Sequence, residues 1–457
     1  MTKTLQTLLL LLIGAAYSLA SAATTLDVGV ATVDITPGEP IWLAGYAART
    51  KPSEKVDSPL KAEALALRDN KGEKFVFVSL DNVGVSHSFM APVLQEVSQK
   101  HNLKRGSVMV ISSHTHSAPV LEGVLSGMYT LGEQDAERVA TYSQALQRKL
   151  VEVVGRALED FQPAVFEHAT GRATFAMNRR IYQKDKVVFG ENPEGPVDWD
   201  VPVLKISGTN GSLRAIVFGY ACHGTSIAGD DWYIVSGDYM AYARQHLETN
   251  YPGATAFYFT GMGADSNPSP RGKLIHAKQH GVELAGAITG VLSHPMRPIK
   301  GDLSIGYAEA DLPLEPAPPR DKLESDSHSQ DIYIRNRAIG YLKAMDENKP
   351  PGETIKLPVG IVRIGDSLTF VSIGGEVVVD YSRKLNRLLG NDNPWLIGYA
   401  YEVPCYIPSA RILKEGGYEA DSSLIYYGVY GPFQPSVEDV LTRTVLDASN
   451  QARKAAH

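Results

Sequence analysis

Short, nearly continuous apolar runs recur along this 457-residue chain and constrain its fold more than any other feature. "KFVFVSLDNVGV" (74–85), "SVMVISS" (107–113), "VPVLKI" (201–206), "RAIVFGYACH" (214–223) and "ATAFYFTG" (254–261) each read as a buried strand, rich in β-branched and aromatic residues. "VGVATVDITP" is a further strand-like run ended by proline, and "VGIVRIGDSLTFVSIGGE" (359–376) reads as a hairpin turning at Gly365-Asp366-Ser367. Helical spacing falls between these runs. Leu146, Leu150, Val154 and Leu158 recur every four positions within 136–160. "GDYMAYARQHLET" (237–249), "HGVELAGAITGVL" (280–292) and a stretch near 330–346 also read as helices. A last helix near 436–453 opens with Ser436 and Asp439 at capping-box-like spacing after Pro435. The Pro-rich, charged segment 312–328 reads as a surface connection. The length exceeds that at which one core stops growing. Irregular alternation of strands and helices then implies an α/β protein: mixed β-sheets flanked by helices in one large layered domain, residues 23–457.

Residues 1–22 read as a signal peptide. Lys3 precedes an apolar stretch at 8–13, and Ala20-Ser21-Ala22 is the small-x-small pattern of a cleavage site. The apolar stretch is too short to span a membrane. Cleavage near Ala22 and export, periplasmic or secreted, are expected, ahead of an uncleaved N-terminal anchor. The net charge of −7 and the lack of a Lys/Arg-rich run argue against a nucleic-acid partner. The two cysteines, Cys222 and Cys405, are compatible with one bridge or with two buried thiols.

The 107–113 run delivers two histidines, in "ISSHTHSAPV" (111–120). On an extended backbone, residues i and i+2 point to one side, so His114 and His116 can serve one site. Imidazole is both a transition-metal ligand and an acid/base. Taken alone, such a step is more often a hydrogen-bonded surface pair. Two other strand ends shift that balance. "YACHGTS" (220–226) delivers His223 into a polar turn, and "SIGGEVVVDY" (372–381) puts Glu376 after two glycines. A carboxylate there is rarely buried unpaired. Two histidines and a glutamate at separate strand ends form a plausible zinc set with an open position for water. His246 and His280 fall within predicted helices, and His101, His294, His328 and His457 in polar or terminal segments, so none of these is assigned to a site.

The ordered series "VGVATVDITP", "LAGYAART", "SSHTHSAP", "NRR" (178–180), "YACHGTS", "GMGADSNPSP" (261–270), "GGEVVVDY" and "CYIPSARILKEGGYEA" (405–420) resembles the N-terminal catalytic domain of the neutral, non-lysosomal ceramidase family. The resemblance implies zinc ligation by His114, His223, Glu376 and Tyr406, with Tyr401 the rival for the phenol. It implies His116 as an acid/base, Tyr418 as a donor to the developing oxyanion and Arg179 as a polar anchor near the reacting carbonyl. The family's Gly-Asp-x-Ser-Pro-Asn element stands here as Gly263-Ala264-Asp265-Ser266-Asn267-Pro268, with the Asp shifted and Pro-Asn reversed. Ser266 falls on the serine position, as a nucleophile or a substrate hydrogen-bonder. The family's C-terminal β-sandwich domain is not expected in this chain. Cys222 precedes His223 and Cys405 precedes Tyr406, so a disulfide behind the metal is a further expectation.

Three readings follow. The first is a secreted zinc amidase that cleaves the N-acyl bond of ceramide or a similar lipid. The second keeps the chemistry and takes an N- or O-acylated sugar or another small amide or ester. The third is a non-catalytic binding protein on the same scaffold. The implied partner is a lipid or small-molecule acyl amide, with peripheral membrane contact left open and no protein partner implied.

Overall fold

The computed structural model describes residues 26–349 and 352–455; the segment read as a signal peptide and His457 lie outside the described residues. All the apolar runs form strands. The largest sheet is ordered Thr255–Thr260, Leu213–Tyr220, Asp200–Gly208, Gln162–Arg172, Leu26–Asp34, Lys61–Arg68, Lys74–Leu80, Val108–Ser112, with Arg297–Ile299 paired to Gln162–Arg172 off this path. The outermost pair at each end is parallel and the inner pairs are antiparallel. A second sheet is ordered Leu303–Pro313, Thr354–Ile364, Leu368–Ile373, Pro394–Ile397.

The two sheets face each other across a shared core. The Phe77 ring lies 5.1 Å from Phe259 and 5.0 Å from Phe370 of the second sheet, with Trp395 alongside. Helices cover the outer faces. Glu133–Glu159 and His87–His101 lie on one half of the large sheet, and Asp238–Asn250 and Leu274–Leu292 on the other. Val379–Leu389 and Val437–Ala455 cover the second sheet through Leu385, Leu441 and Val445. The result is a four-layer helix/sheet/sheet/helix arrangement, the expected α/β class. Sheets covered on both faces explain why the strand sequences are continuously apolar. Each buried Leu or Val, such as Leu146 and Leu150 on Glu133–Glu159, contributes roughly 1.5–3 kcal/mol over exposure.

The large sheet curls until its two ends meet. Thr260 Oγ1 donates to the Ser112 carbonyl at 2.6 Å, and Ser79 Oγ donates to the Tyr258 carbonyl at 3.0 Å. The curl gathers the exits of Val108–Ser112, Leu213–Tyr220 and Thr255–Thr260 at one end of the molecule.

Several expected elements shift. Leu274–Leu292 begins before residue 280, and the 312–328 connection contains a short helix, Arg320–Asp326. The helix His87–His101 is not anticipated from sequence, because Pro92 falls inside it and reads as a stop. Ser86 caps its start, with Oγ accepting from Phe89 N–H at 3.1 Å. No helix among the described residues is long and apolar enough to cross a membrane.

Candidate metal centre

His114 follows closely on Val108–Ser112, but its backbone is left-handed, with φ 58°. This corrects the extended geometry assumed for the His-Thr-His step. Thr115 then bridges Gly224 in parallel, and the His116 N–H donates to the Gly224 carbonyl at 3.0 Å. A Cβ on Gly224 would sit 2.6 Å from the His114 carbonyl oxygen, so glycine is required for this approach. A left-handed step and a bridge between the two histidine-bearing loops therefore bring the rings together. Tyr399 beside them is also left-handed, with φ 53°. Such residues cost about 1–3 kcal/mol each and persist where surrounding structure over-determines them.

Glu376 and Tyr406 arrive on a two-stranded parallel ladder, Glu376–Val377 with Tyr406–Ile407, in which they are direct register partners. Glu376 Oε2 lies 3.1 Å from His114 Nε2 and 3.1 Å from His223 Nε2. The Tyr406 phenol is 3.0 Å from His223 Nε2, and His116 Nε2 is 3.1 Å from His114 Nε2. All four proposed ligands are buried, and His114, His116 and His223 form a group able to hold a metal ion.

Protonation tests whether a cation fits here. His114 Nδ1 is 2.6 Å from the Val83 carbonyl, which only accepts, so Nδ1 carries the proton. His223 Nδ1 faces the Gly263 carbonyl at 3.4 Å, and its Nε2 accepts from Arg179 Nη1 at 3.2 Å. Burial, then the charges of Arg179 and His114, push His223 down to about 3, so it is neutral at pH 7. Burial, then His114 and His223, hold His116 well below the usual histidine range. Burial pushes the Glu376 carboxyl up, but His114 and His223 outweigh it and hold the group ionised. Two imidazole nitrogens and an ionised carboxylate therefore converge on one buried point, a donor set that suits zinc.

Outer contacts fix these ligands. The Tyr427 phenol donates to Glu376 Oε1 through a short hydrogen bond, and the Tyr399 hydroxyl lies 3.4 Å from Oε2. Arg179 Nη2 donates to the Tyr406 oxygen at 3.0 Å, while its Nε pairs with Glu419 at 2.8 Å. Burial opposes that charge, but Tyr406 and Glu419 more than offset it. The centre opens onto a cavity of 280 Å³ lined by His116, Arg179, Tyr406, Tyr418 and Asn267 among others. Tyr418 packs edge-on to Tyr406, 5.4 Å between ring centroids.

Three sequence expectations resolve differently. Ser266 is not part of the cavity lining; its hydroxyl is buried without a partner, and its carbonyl accepts from His223 N–H at 3.1 Å. Asn267 lines the cavity instead and accepts from Arg179 Nη1 at 3.2 Å. The rival phenol Tyr401 lies in the inter-sheet core, its hydroxyl unpartnered. Cys222 and Cys405 are free thiols, which overturns the disulfide: Cys222 packs under the large sheet with Tyr220 and Tyr239, and Cys405 packs under the second with Val377 and Ile407. Tyr427, Tyr399 and Glu419 are contacts the sequence reading missed. Only Glu419 had a local signal, its place beside Tyr418 in "GGYEA".

A family model described as neutral/alkaline non-lysosomal ceramidase, N-terminal, matches residues 26–267. This range contains His114, His116, Arg179, His223 and Ser266. Neutral ceramidase A of Dictyostelium discoideum is 24% identical over 250 residues, 51% of this chain and 33% of that protein, so the similarity spans about a third of the relative. The crystal structure of neutral ceramidase from Pseudomonas aeruginosa is similar with TM-score 0.71 and 17% identity, over 94% of this chain and 75% of that one. A ceramidase complexed with C2 gives TM-score 0.71 and 16% identity, over 94% and 76%. These structural likenesses establish the fold.

Proposed function

Because the chain belongs to the neutral/alkaline non-lysosomal ceramidase family, whose N-terminal model covers residues 26–267, we propose that it is a secreted zinc-dependent hydrolase cleaving the N-acyl amide bond of ceramide or a ceramide-like lipid. The observation that carries this reading is the convergence of His114, His223 and Glu376 on one buried point beside the cavity. These residues and Tyr406 would hold the ion. When bound, zinc polarises an acyl carbonyl and makes water more acidic.

The chain's own groups supply the rest. His116 is held neutral, lines the cavity, and has a buried Nδ1 without a partner. It takes the proton of the attacking water and returns it to the leaving amine, without which amide cleavage stalls. The Tyr418 phenol and the Arg179 guanidinium line the cavity where negative charge develops on the carbonyl oxygen. One such donor is worth roughly 3–4 kcal/mol. Arg179 is pre-set by Glu419 and Asn267, so little reorganisation accompanies the charge. Export rests on the N-terminal sequence alone.

The cavity supports a second reading. Its 280 Å³, lined by four tyrosines and two arginines, falls just below the roughly 300–1,000 Å³ typical of ligand pockets. A zinc-dependent N- or O-deacylase of an acylated sugar, or of another small amide or ester, fits that size. Acyl release from short- and long-chain ceramides and from N-acetyl and O-acetyl sugars, with and without chelator, separates the readings. Chelator-sensitive release from ceramide supports the first, and from sugars alone the second. No release from any substrate by zinc-loaded protein contradicts both.

A further inference from the structure

The lining of the cavity beside His116 includes Arg179 and Arg271 and no carboxylate. The two guanidinium groups differ in what answers their charge. Arg179 is ion-paired with Glu419 at 2.8 Å. Arg271 donates from Nε to the Thr225 carbonyl at 2.9 Å and from Nη2 to the Tyr46 phenol oxygen at 3.1 Å, both neutral acceptors. Among the described residues, no carboxylate pairs with Arg271, and its Nη1 has no protein partner.

The surroundings add to the imbalance. Arg49 is buried, and its donors go to the carbonyls of Trp232, Ala44 and His116 at 2.9, 2.6 and 2.6 Å, again with no carboxylate. Asp238, whose charge also reaches Tyr46, is occupied by the N–H groups of Ile227 and Tyr239. Arg271 therefore brings to the cavity a positive charge that no carboxylate pairs with directly. A guanidinium with an open donor edge is matched to carboxylate or phosphate oxygens.

We propose that Arg271 is a specificity-determining residue that holds an anionic group, carboxylate or phosphate, on the amine side of the scissile amide. This rests on the hydrolase reading above. The amine side follows from position. The Tyr46 ring packs edge-on to His116, 5.0 Å between centroids, and Arg271 lies on the phenol end of Tyr46. His116 is the group that protonates the leaving amine, so what lies beyond it across Tyr46 meets the amine's substituent. Tyr46 also stacks on Trp232 at 5.5 Å, which fixes Arg271 through its phenol.

The test compares amides that share an acyl chain and spacer and differ in the terminal group: N-decanoylethanolamine, N-decanoyl-β-alanine and N-decanoyl-phosphoethanolamine. The zinc-loaded enzyme is expected to prefer an anionic amide over the neutral one by about tenfold or more in kcat/KM, carried by KM. Whichever anion is preferred identifies its source as carboxylate or phosphate. Arg271→Gln is expected to bring the ratio near unity, and Arg271→Lys to keep part of it. A wild-type ratio near unity, or a preference unchanged in Arg271→Gln, overturns the assignment. Absence of release from all three compounds and from the ceramides and sugars above refutes the hydrolase reading. Calorimetric binding of the same compounds then still decides on Arg271: tighter binding of the anions to wild type than to Arg271→Gln supports it, and equal binding overturns it.

Discussion

Gly45 tests the placement of His116 most sharply. Its φ is 96°, and a Cβ built there would lie 2.4 Å from both Cγ and Nδ1 of His116. Ordinary contact begins near 3.4 Å, so Gly45→Ala must displace the imidazole by about 1 Å. Misplacement of that size costs about 10²-fold in rate. Alanine at positive φ also costs about 1–2 kcal/mol of stability. Gly72 separates the two effects: its φ is 85°, and an added Cβ there meets nothing within 4 Å. Gly72→Ala therefore carries the backbone strain without the clash. The assay is kcat for acyl release, with Tm and bound metal measured on the same preparations. Both variants are expected to keep their metal, and Gly45→Ala to lose more Tm than Gly72→Ala because of the added contact. Only Gly45→Ala is expected to lose about 10²-fold in kcat. Equal kcat in the two variants would refute the argument that His116 works from this position.

Other expectations follow from single contacts. Tyr427→Phe removes the phenol that donates to Glu376 Oε1, and metal affinity is expected to fall about 10–100-fold in chelator competition; unchanged affinity counts against Glu376 as a ligand. Glu63 is buried, its Oε2 2.8 Å from Arg244, and burial raises it from 4.5 to about 7 against the pull of Arg244. The native state then binds the extra proton between those values, so this group's contribution to stability falls as pH rises from 4.5 to 7, by on the order of 3 kcal/mol. Tm measured against pH is expected to show that fall diminished in Glu63→Gln, and identical profiles would contradict it. Cys222 and Cys405 are buried free thiols, so about two thiols per chain are expected to react in denaturant without reductant and almost none in the native protein; zero in denaturant would restore the disulfide.

Sequence pattern reaches far into this fold where the signal is local. Val108–Ser112, Leu213–Tyr220 and Thr255–Thr260 are legible because burial on both faces leaves an apolar run, and His114, His223 and Glu376 are legible because polar groups at the ends of such runs stand out. The curl that brings Thr260 against Ser112 has no local signature, since it joins residues far apart in the chain. Tyr427 on Glu376 and Arg179 on Glu419 are hidden for the same reason. The left-handed turn at His114 is likewise invisible in the run, and the adjoining Thr115 bridge to Gly224 joins residues far apart in the chain. At 266–267 the motif identifies the right turn, but backbone geometry turns Asn267 rather than Ser266 toward the cavity.

If His114, His223, Glu376 and Tyr406 hold a metal that the amide chemistry requires, metal and activity must be lost together. The measurement is elemental analysis of the purified chain and of its Glu376→Ala variant, beside acyl release from the same samples. About one zinc per folded wild-type chain is expected, removed by chelator together with acyl release and restored with it, and far less zinc in the variant. A folded wild-type chain that holds no transition metal yet releases acyl product at the same rate would contradict this.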